Sequence, residues 1–180
     1  AWEEVAPMMA ARDDLAVAVQ DGKLYAVGGR NNDGFYDPAT NAWEAVAPMA
    51  EARYAHAVAV LEGKLYAVGG FHNGFLSSVE RYDPALDVWE AVTPMAEARY
   101  KLAVAVLDGK LYAVGGSALD GKLYAVGGRL SSVERYDPAL DVWEAVTPMA
   151  EARYKLAVAV LDGSNDDDGT LFSLERYDPA

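Results

Sequence analysis

One arginine recurs at the same place in four similar segments of the chain, each time a few residues before a run of alanine and valine. The four positions are Arg12, Arg53, Arg99 and Arg153. A tyrosine directly follows three of them, at Tyr54, Tyr100 and Tyr154. A guanidinium presents paired donors that suit a carboxylate, and protein interfaces use arginine and aromatic side chains together as hot spots. These residues are therefore candidates for a binding surface.

A structural role is the competing interpretation of the same residues. Three of the arginines follow a glutamate by two positions, at Glu51, Glu97 and Glu151, and charged side chains usually pair or stay solvated. Arg12 is followed by Asp13 and Asp14, which reduce the local positive charge. We expect structural pairing ahead of binding for the arginines. For the tyrosines, a packed ring and a binding surface remain open alternatives.

An oxygen-rich segment near the end of the sequence fits the spacing of a calcium-binding loop. Its candidate ligands are Ser164, Asp166, Asp168 and Glu175. Two observations weaken this assignment: serine replaces the usual first carboxylate, and the sequence predicts no flanking helices. Glu175 is also explained by the repeat, because it corresponds to Glu80 and Glu134. We therefore expect a solvated acidic loop, with no metal and no other cofactor.

Catalytic residues find little support in the sequence. The two histidines are His56, in a predicted innermost strand beside alanines, and His72, in a predicted loop. No Ser-His-Asp arrangement and no metal-binding histidine cluster is recognisable. We expect no enzymatic activity.

Composition limits the possible partners. The 180 residues carry a formal net charge of −13, and 52% of them are apolar. Such acidity disfavours nucleic acids and anionic membranes as partners. The sequence has no cysteine, so no redox compartment is indicated, and we expect neither a signal peptide nor a transmembrane segment. The localisation stays undetermined.

The segment from Arg53 to Met95 shows the repeating unit in full. It predicts four short strands at 56–61, 64–68, 77–82 and 88–93, separated by Glu62-Gly63, Gly69-Gly70 and Asp83-Pro84. In the first strand, valines and alanines alternate, so both faces are apolar and both should be covered. Small sheets covered on both faces suit the radial stacking of a β-propeller.

The order of apolar strand, Gly-Gly, Tyr82 and then Trp89 resembles the kelch repeat, and the resemblance recurs over nearly the whole chain. It implies an all-β propeller with the innermost strand first in each blade and the tryptophan strand outermost. In kelch substrate receptors of ubiquitin ligases, arginines at the corresponding place line a pocket for acidic peptides. The resemblance therefore implies an arginine-lined channel mouth here.

The repeats predict four blades within a single domain. Their approximate bounds are 12–49, 53–95, 99–149 and 153–180. Residues 1–9 match an outermost strand, which the last unit lacks, so we expect this N-terminal strand to close the ring by pairing into the C-terminal blade. Such closure predicts a monomer. An open half-ring that forms an eight-bladed homodimer is the alternative.

Two kinds of repetition stand apart from the ordinary repeat. Residues 76–109 and 130–163 are identical, and LDGKLYAVGG occurs at both 107–116 and 119–128. Identity of this extent indicates either a very recent duplication or a designed, consensus-like sequence. The low diversity of residue types, dominated by Ala, Val, Tyr, Asp and Gly, favours design. The spare copy could form a fifth strand, loop out, or serve the fourth unit, which lacks KLYAVGG. We accordingly expect a designed repeat scaffold with no evolved activity; a kelch domain that binds an acidic peptide is the alternative, and a glycan-processing enzyme is a third.

Overall fold

The computed structural model of the chain describes residues 3–29, 34–118 and 128–152. Within these ranges the backbone forms short β-strands, and none of it forms a helix with the length and apolarity that a bilayer crossing requires. The strands are β1 (Ala16–Gln20), β2 (Lys23–Val27), β3 (Gly34–Asp37), β4 (Ala42–Ala45), β5 (Ala57–Leu61), β6 (Lys64–Val68), β7 (Val79–Asp83), β8 (Val88–Val92), β9 (Ala103–Leu107), β10 (Lys110–Val114), β11 (Ser117–Ala118), β12 (Gly128–Arg129), β13 (Val133–Asp137) and β14 (Val142–Val146).

These strands build three antiparallel four-stranded sheets, here called blades. Blade 1 contains β1–β4, blade 2 contains β5–β8, and blade 3 contains β9, β10, β13 and β14. The innermost strands β1, β5 and β9 lie side by side in that order. The predicted all-β propeller architecture is thereby confirmed. The predicted fourth blade, at 153–180, lies outside the described residues.

The hairpin between β5 and β6 shows how the sequence sets the strand register. Glu62 and Gly63 both have positive φ, at 51° and 71°, which is the combination that a tight two-residue turn requires. Leu61 and Lys64 pair directly across this turn. The alternation of side chains along both strands follows from that register.

The core lies between the blades. Val58 and Val60 on β5 pack against a cluster that includes Tyr25 and Val27 of blade 1. The alternate residues Ala57 and Ala59 pack into a second cluster, which joins blade 2 to blade 3. Blade 2 is therefore covered on both faces, as its apolar strand predicts.

Each outermost tryptophan binds the preceding segment of the chain. The indole Nε1 of Trp89 donates to the carbonyl of Ala47 at 3.0 Å, and that of Trp143 donates to the carbonyl of Thr93 at 2.9 Å. Trp43 donates in the same way to Ala6, also at 3.0 Å. The segment after β4 thus contacts blade 2, and the segment after β8 contacts blade 3. The N-terminal segment contacts blade 1 in the same way.

Residues 3–9 nevertheless form no strand within the described residues. A strand needs a hydrogen-bonded neighbour, and the neighbour that the repeats predict falls in 153–180, which is not described. Closure of the ring by this segment thus stays a prediction.

The duplicated sequence leaves blade 3 with four strands. Its first copy is regular: β10 pairs with β9 on one side and with β13 on the other. The second copy starts after β11 and ends in β12, and these two short strands pair with each other. Among the described residues, no fifth strand joins blade 3. Residues 119–127, between the two paired ends, lie outside the described residues.

Candidate functional site

The predicted binding arginines of blades 2 and 3 are buried. The side chain of Arg53 is fully withdrawn from solvent, and its Nη2 donates to Oε1 of Glu80 at 2.8 Å. Its Nη1 donates to the carbonyls of Gly69 and Ser78, at 2.9 Å and 3.1 Å. These contacts join the linker before blade 2 to the strands of that blade.

Arg99 has the matching environment in blade 3. Its side chain is also fully buried, its Nε and Nη2 donate to Oε1 of Glu134, and its Nη1 donates to the carbonyls of Gly115 and Ser132. The glutamate predicted as partner, Glu97, lies 3.3 Å from Nη2 and is half exposed. Glu134, on β13, is the more buried partner of the two.

The remaining arginines of the predicted set differ. Arg12 is partly exposed, and its Nη1 donates to the carbonyl of Ala26 at 3.1 Å. Arg153 and Tyr154 lie outside the described residues, so the structure brings together no ring of four arginines within the part it describes. Peptide binding by the arginines stays a prediction, and the buried guanidiniums of blades 2 and 3 already have acceptors within the chain.

The structure brings the two described tyrosines of the set together with two phenylalanines. The ring centroids of Tyr54 and Tyr100 lie 6.4 Å apart. Phe75 stacks on Tyr100 with centroids 5.3 Å apart, and Phe71 contacts Tyr54 at 5.4 Å. All four side chains are partly exposed. We call these four residues the aromatic cluster.

The loop that carries the phenylalanines is held by backbone hydrogen bonds. Phe71 exchanges a pair of N–H···O bonds with Tyr54, at 3.0 Å and 3.2 Å, and Leu76 closes the loop onto the carbonyl of Gly70 at 3.0 Å. His72 and Asn73 are exposed at its tip. The aromatic cluster therefore stands on a fixed backbone at the end of the blades where the innermost strands begin.

Sequence reasoning missed the two phenylalanines. The sequence predicted a loop around His72 and assigned the neighbouring phenylalanines no binding role. The available signal was its difference from the repeat: FHNGF occurs once, while most of the surrounding unit recurs elsewhere in the chain. The corresponding loop of blade 3 begins and ends with the short strands β11 and β12. It is closed by the matching hydrogen bond, in which Leu130 donates to the carbonyl of Gly116 at 3.0 Å.

Beside the cluster, His56 is buried between blade 1 and blade 2. Neither ring nitrogen has a hydrogen-bond partner, and a Cβ on Gly28 would lie 2.5 Å from its Cε1. Burial, and secondarily the charge of Arg53, lower the pKa of His56 to about 3. His56 therefore stays neutral and serves packing, whereas His72 lies in a loop as expected.

The other pKa shifts belong to contacts that hold the blades. Burial raises the pKa of the Tyr82 phenol, and a hydrogen bond to Asp87 raises it further. The same carboxylate has a lowered pKa, because the amide of Ala47 and the hydroxyl of Tyr82 both donate to it. These groups tie a blade's outermost turn to the linker before it.

Among the described residues, no three acidic or histidine side chains are grouped as a metal would require, and the calcium candidates Ser164, Asp166, Asp168 and Glu175 lie outside them.

Comparison with known proteins gives matches to family models, to a curated relative and to a solved structure. Two family models, both described as the kelch motif, match residues 52–96 and 98–150 and residues 11–50. Human Kelch-like protein 33 is 56% identical over 32 residues, which are 18% of this chain and 6% of that protein. The chain thus spans a small fraction of the length of that curated relative.

A solved structure described as "Structure of YjhT" superposes on the chain with a TM-score of 0.75. The match covers 86% of this chain and 57% of that one, at 16% sequence identity. At this identity the likeness shows the fold alone.

Proposed function

Because this chain belongs to the kelch-repeat family, we propose that it is a protein-interaction propeller that binds a partner segment at the aromatic cluster. The observation that carries this proposal is the loop Phe71 to Phe75, which departs from the repeat and places two phenylalanines against Tyr54 and Tyr100. The proposal assigns binding and no catalytic step.

The chemistry of the cluster supports this role. Partly exposed aromatic rings offer large contact area at a small cost in conformational entropy, and they are enriched among binding hot spots. The loop is already fixed by its hydrogen bonds to Tyr54 and Gly70, so little ordering would be required on binding. The partner we propose is a peptide segment with an apolar side chain.

Under this proposal the buried arginines position the site. Arg53 precedes Tyr54 and is anchored to Glu80, while Arg99 precedes Tyr100 and is anchored to Glu134. Direct binding of an acidic peptide would instead require these guanidiniums to leave buried carboxylates. Removing a buried ion-pair partner is costly, which favours the positioning role.

The test is selection of a peptide library displayed on phage against the full chain. A Phe71→Ser, Phe75→Ser variant should bind the enriched peptides at least tenfold more weakly, since truncating a hot spot costs about 2 kcal/mol or more. The matched control is Leu86→Ser, Leu140→Ser, which removes two leucines that are each 69% exposed and lie outside the cluster. Equal binding by the wild type and the phenylalanine variant would contradict the proposal.

A second candidate is a designed or consensus-like scaffold with no evolved ligand. The identity of residues 76–109 and 130–163 supports it. Consensus repeats are often very stable, so this candidate predicts a thermal midpoint above about 90 °C. A midpoint in the ordinary range of about 45–65 °C would count against it.

A further inference from the structure

The loop between β6 and β7 contains the only Asn-Gly pair of the sequence, Asn73-Gly74. In such a pair the backbone nitrogen of glycine can attack the side-chain amide carbon of asparagine, because glycine has no Cβ to hinder the approach. Asn73 is exposed at the tip of the loop, and a Cβ on Gly74 would meet no atom within 4 Å. The pair is therefore accessible to this attack and to solvent water.

The backbone of the loop tip leaves the attacking nitrogen without a competing partner. The hydrogen bond across the tip runs from the amide of His72 to the carbonyl of Gly74 at 3.0 Å. It therefore occupies the carbonyl of Gly74 and not its amide. Within the part of the chain that the structure describes, the amide of Gly74 donates no hydrogen bond. The nucleophile consequently has no hydrogen bond to break before it attacks.

The nitrogen that would leave has a proton-transfer group beside it. Nδ2 of Asn73 lies 3.2 Å from Nε2 of His72, and this contact is exposed. When the glycine nitrogen bonds to Cγ of Asn73, the amide nitrogen must gain a proton to depart as ammonia. An imidazole can transfer protons near neutral pH. His72 thus lies where the reaction requires a general acid.

A second asparagine has a similar backbone but a different environment. Asn41 has φ +51°, close to the +55° of Asn73. It is followed by Ala42, which carries a Cβ and begins β4, where it pairs with Asp37. Oδ1 of Asn41 also accepts a hydrogen bond from the amide of Ala6 at 2.9 Å. Because both the side chain and the following residue are held, Asn41 is an internal control for Asn73.

We propose that Asn73 deamidates by attack of the Gly74 nitrogen, with His72 as general acid, which makes the loop of the aromatic cluster a site of self-modification. The bond between the Gly74 nitrogen and Cγ of Asn73 forms, and the Cγ–Nδ2 bond breaks. The glycine amide loses its proton to solvent, His72 supplies one to the leaving nitrogen, and ammonia departs. Water then opens the cyclic imide at either carbonyl, which gives aspartate or isoaspartate.

Both products change the loop that carries Phe71 and Phe75. Either one adds a carboxylate to a chain whose net charge is already −13. Isoaspartate also routes the main chain through the side-chain carbon, so the hydrogen bond from His72 to Gly74 loses its geometry. Phe71 and Phe75 form a β-bridge around this tip, so their rings should move. The modification does not depend on the proposed binding function.

The experiment is incubation of the full chain in neutral buffer, followed over time by peptide mapping with mass spectrometry. Chromatography separates the aspartyl and isoaspartyl peptides. We expect Asn73 to be lost faster than Asn41 by about tenfold or more, which corresponds to about 1.4 kcal/mol in the barrier. Both aspartate and isoaspartate should appear at Asn73. Equal stability of the two asparagines, or aspartate without isoaspartate, would overturn the proposal.

Two variants test the nucleophile and the acid separately. Gly74 does not adopt a positive φ and has open space around it, so Gly74→Ala should fold normally and lose Asn73 more slowly. His72→Gln keeps a polar side chain without a titrating group, and it should also slow the loss of Asn73 while Asn41 is unaffected. A wild-type rate in Gly74→Ala would overturn the attack by the glycine nitrogen. A wild-type rate in His72→Gln would overturn the general-acid role.

Discussion

Nη2 of Arg53 lies 2.8 Å from Oε1 of Glu80, with the two side chains 0% and 4% exposed. The same carboxylate accepts hydrogen bonds from the backbone amides of Ala50 and Glu51. One buried glutamate thus holds both the linker and the arginine that follows it. The recurring arginine is therefore a structural element of blades 2 and 3, and it fixes the backbone on which Tyr54 and Tyr100 stand.

A pH dependence follows from His56. Its pKa is lowered from 6.5 to about 3 in the folded chain, so the unfolded chain binds the extra proton between those values. The contribution of the neutral His56 to the free energy of unfolding is fully present above about pH 6.5. It is lost as pH falls toward 3, when the free energy of unfolding decreases by about 1.4 kcal/mol per pH unit.

Comparison with His56→Leu isolates this effect from that of the carboxylates. Leucine occupies the corresponding position at Leu102, so the substitution fits the repeat. The free energy of unfolding, measured in urea at several pH values, should fall for the wild type relative to the variant below pH 6.5. A constant difference between the two proteins across pH 4–7 would contradict a buried neutral histidine.

Two glycines with similar backbone angles, Gly28 and Gly63, should differ in how well they tolerate substitution by alanine. Gly28 has φ +65°, and a Cβ there would lie 2.6 Å from the carbonyl oxygen of Arg53; Gly63 has φ +71° and open space around it. Gly63→Ala should cost only the left-handed backbone penalty, about 1–2 kcal/mol. Gly28→Ala should cost clearly more, because the backbones of blades 1 and 2 must separate. Equal unfolding free energies for the two variants would argue against this close approach.

The hydrogen bonds that the tryptophan indoles donate to the preceding linkers should contribute measurably to the free energy of unfolding. Trp89→Phe keeps an aromatic ring in contact with Tyr82 but removes the donor to Ala47, so we expect a loss of about 1 kcal/mol. Trp143→Phe, which loses the bond to Thr93, should behave alike. Chemical denaturation measures both, and full stability in either variant would contradict a role for these bonds.

Much of the fold could be predicted because its signals are local. Turn residues such as Glu62-Gly63 and the alternation in β5 fix strand lengths and faces within a few positions of sequence. The structure places β7 at Val79–Asp83 rather than at 77–82, a small shift of a strand end. Residues 3–9 show that a strand cannot be read from its own sequence alone, since it forms only beside a partner.

The site was less predictable because its contacts are distant in sequence. Structural pairing of Arg53 was expected with Glu51, two residues away, and that carboxylate does lie 3.8 Å from Nη2. The closer partner is Glu80, 27 residues away, on a strand where a buried glutamate violates the usual preference for burying apolar residues. Phe71 and Phe75 were overlooked since aromatic residues in a loop carry no periodic signal.

The most direct test compares two arginines of blade 3. Arg99 is fully buried with Glu134, whereas Arg135 pairs with Glu144 at the surface, with side chains 32% and 51% exposed. We would measure the free energy of unfolding of Arg99→Met and Arg135→Met by urea denaturation. Our account predicts a loss of about 3–5 kcal/mol for Arg99→Met and less than about 1 kcal/mol for Arg135→Met. If Arg99→Met is as stable as Arg135→Met, the recurring arginine does not hold the blades, and its role as a direct ligand-binding residue would be restored.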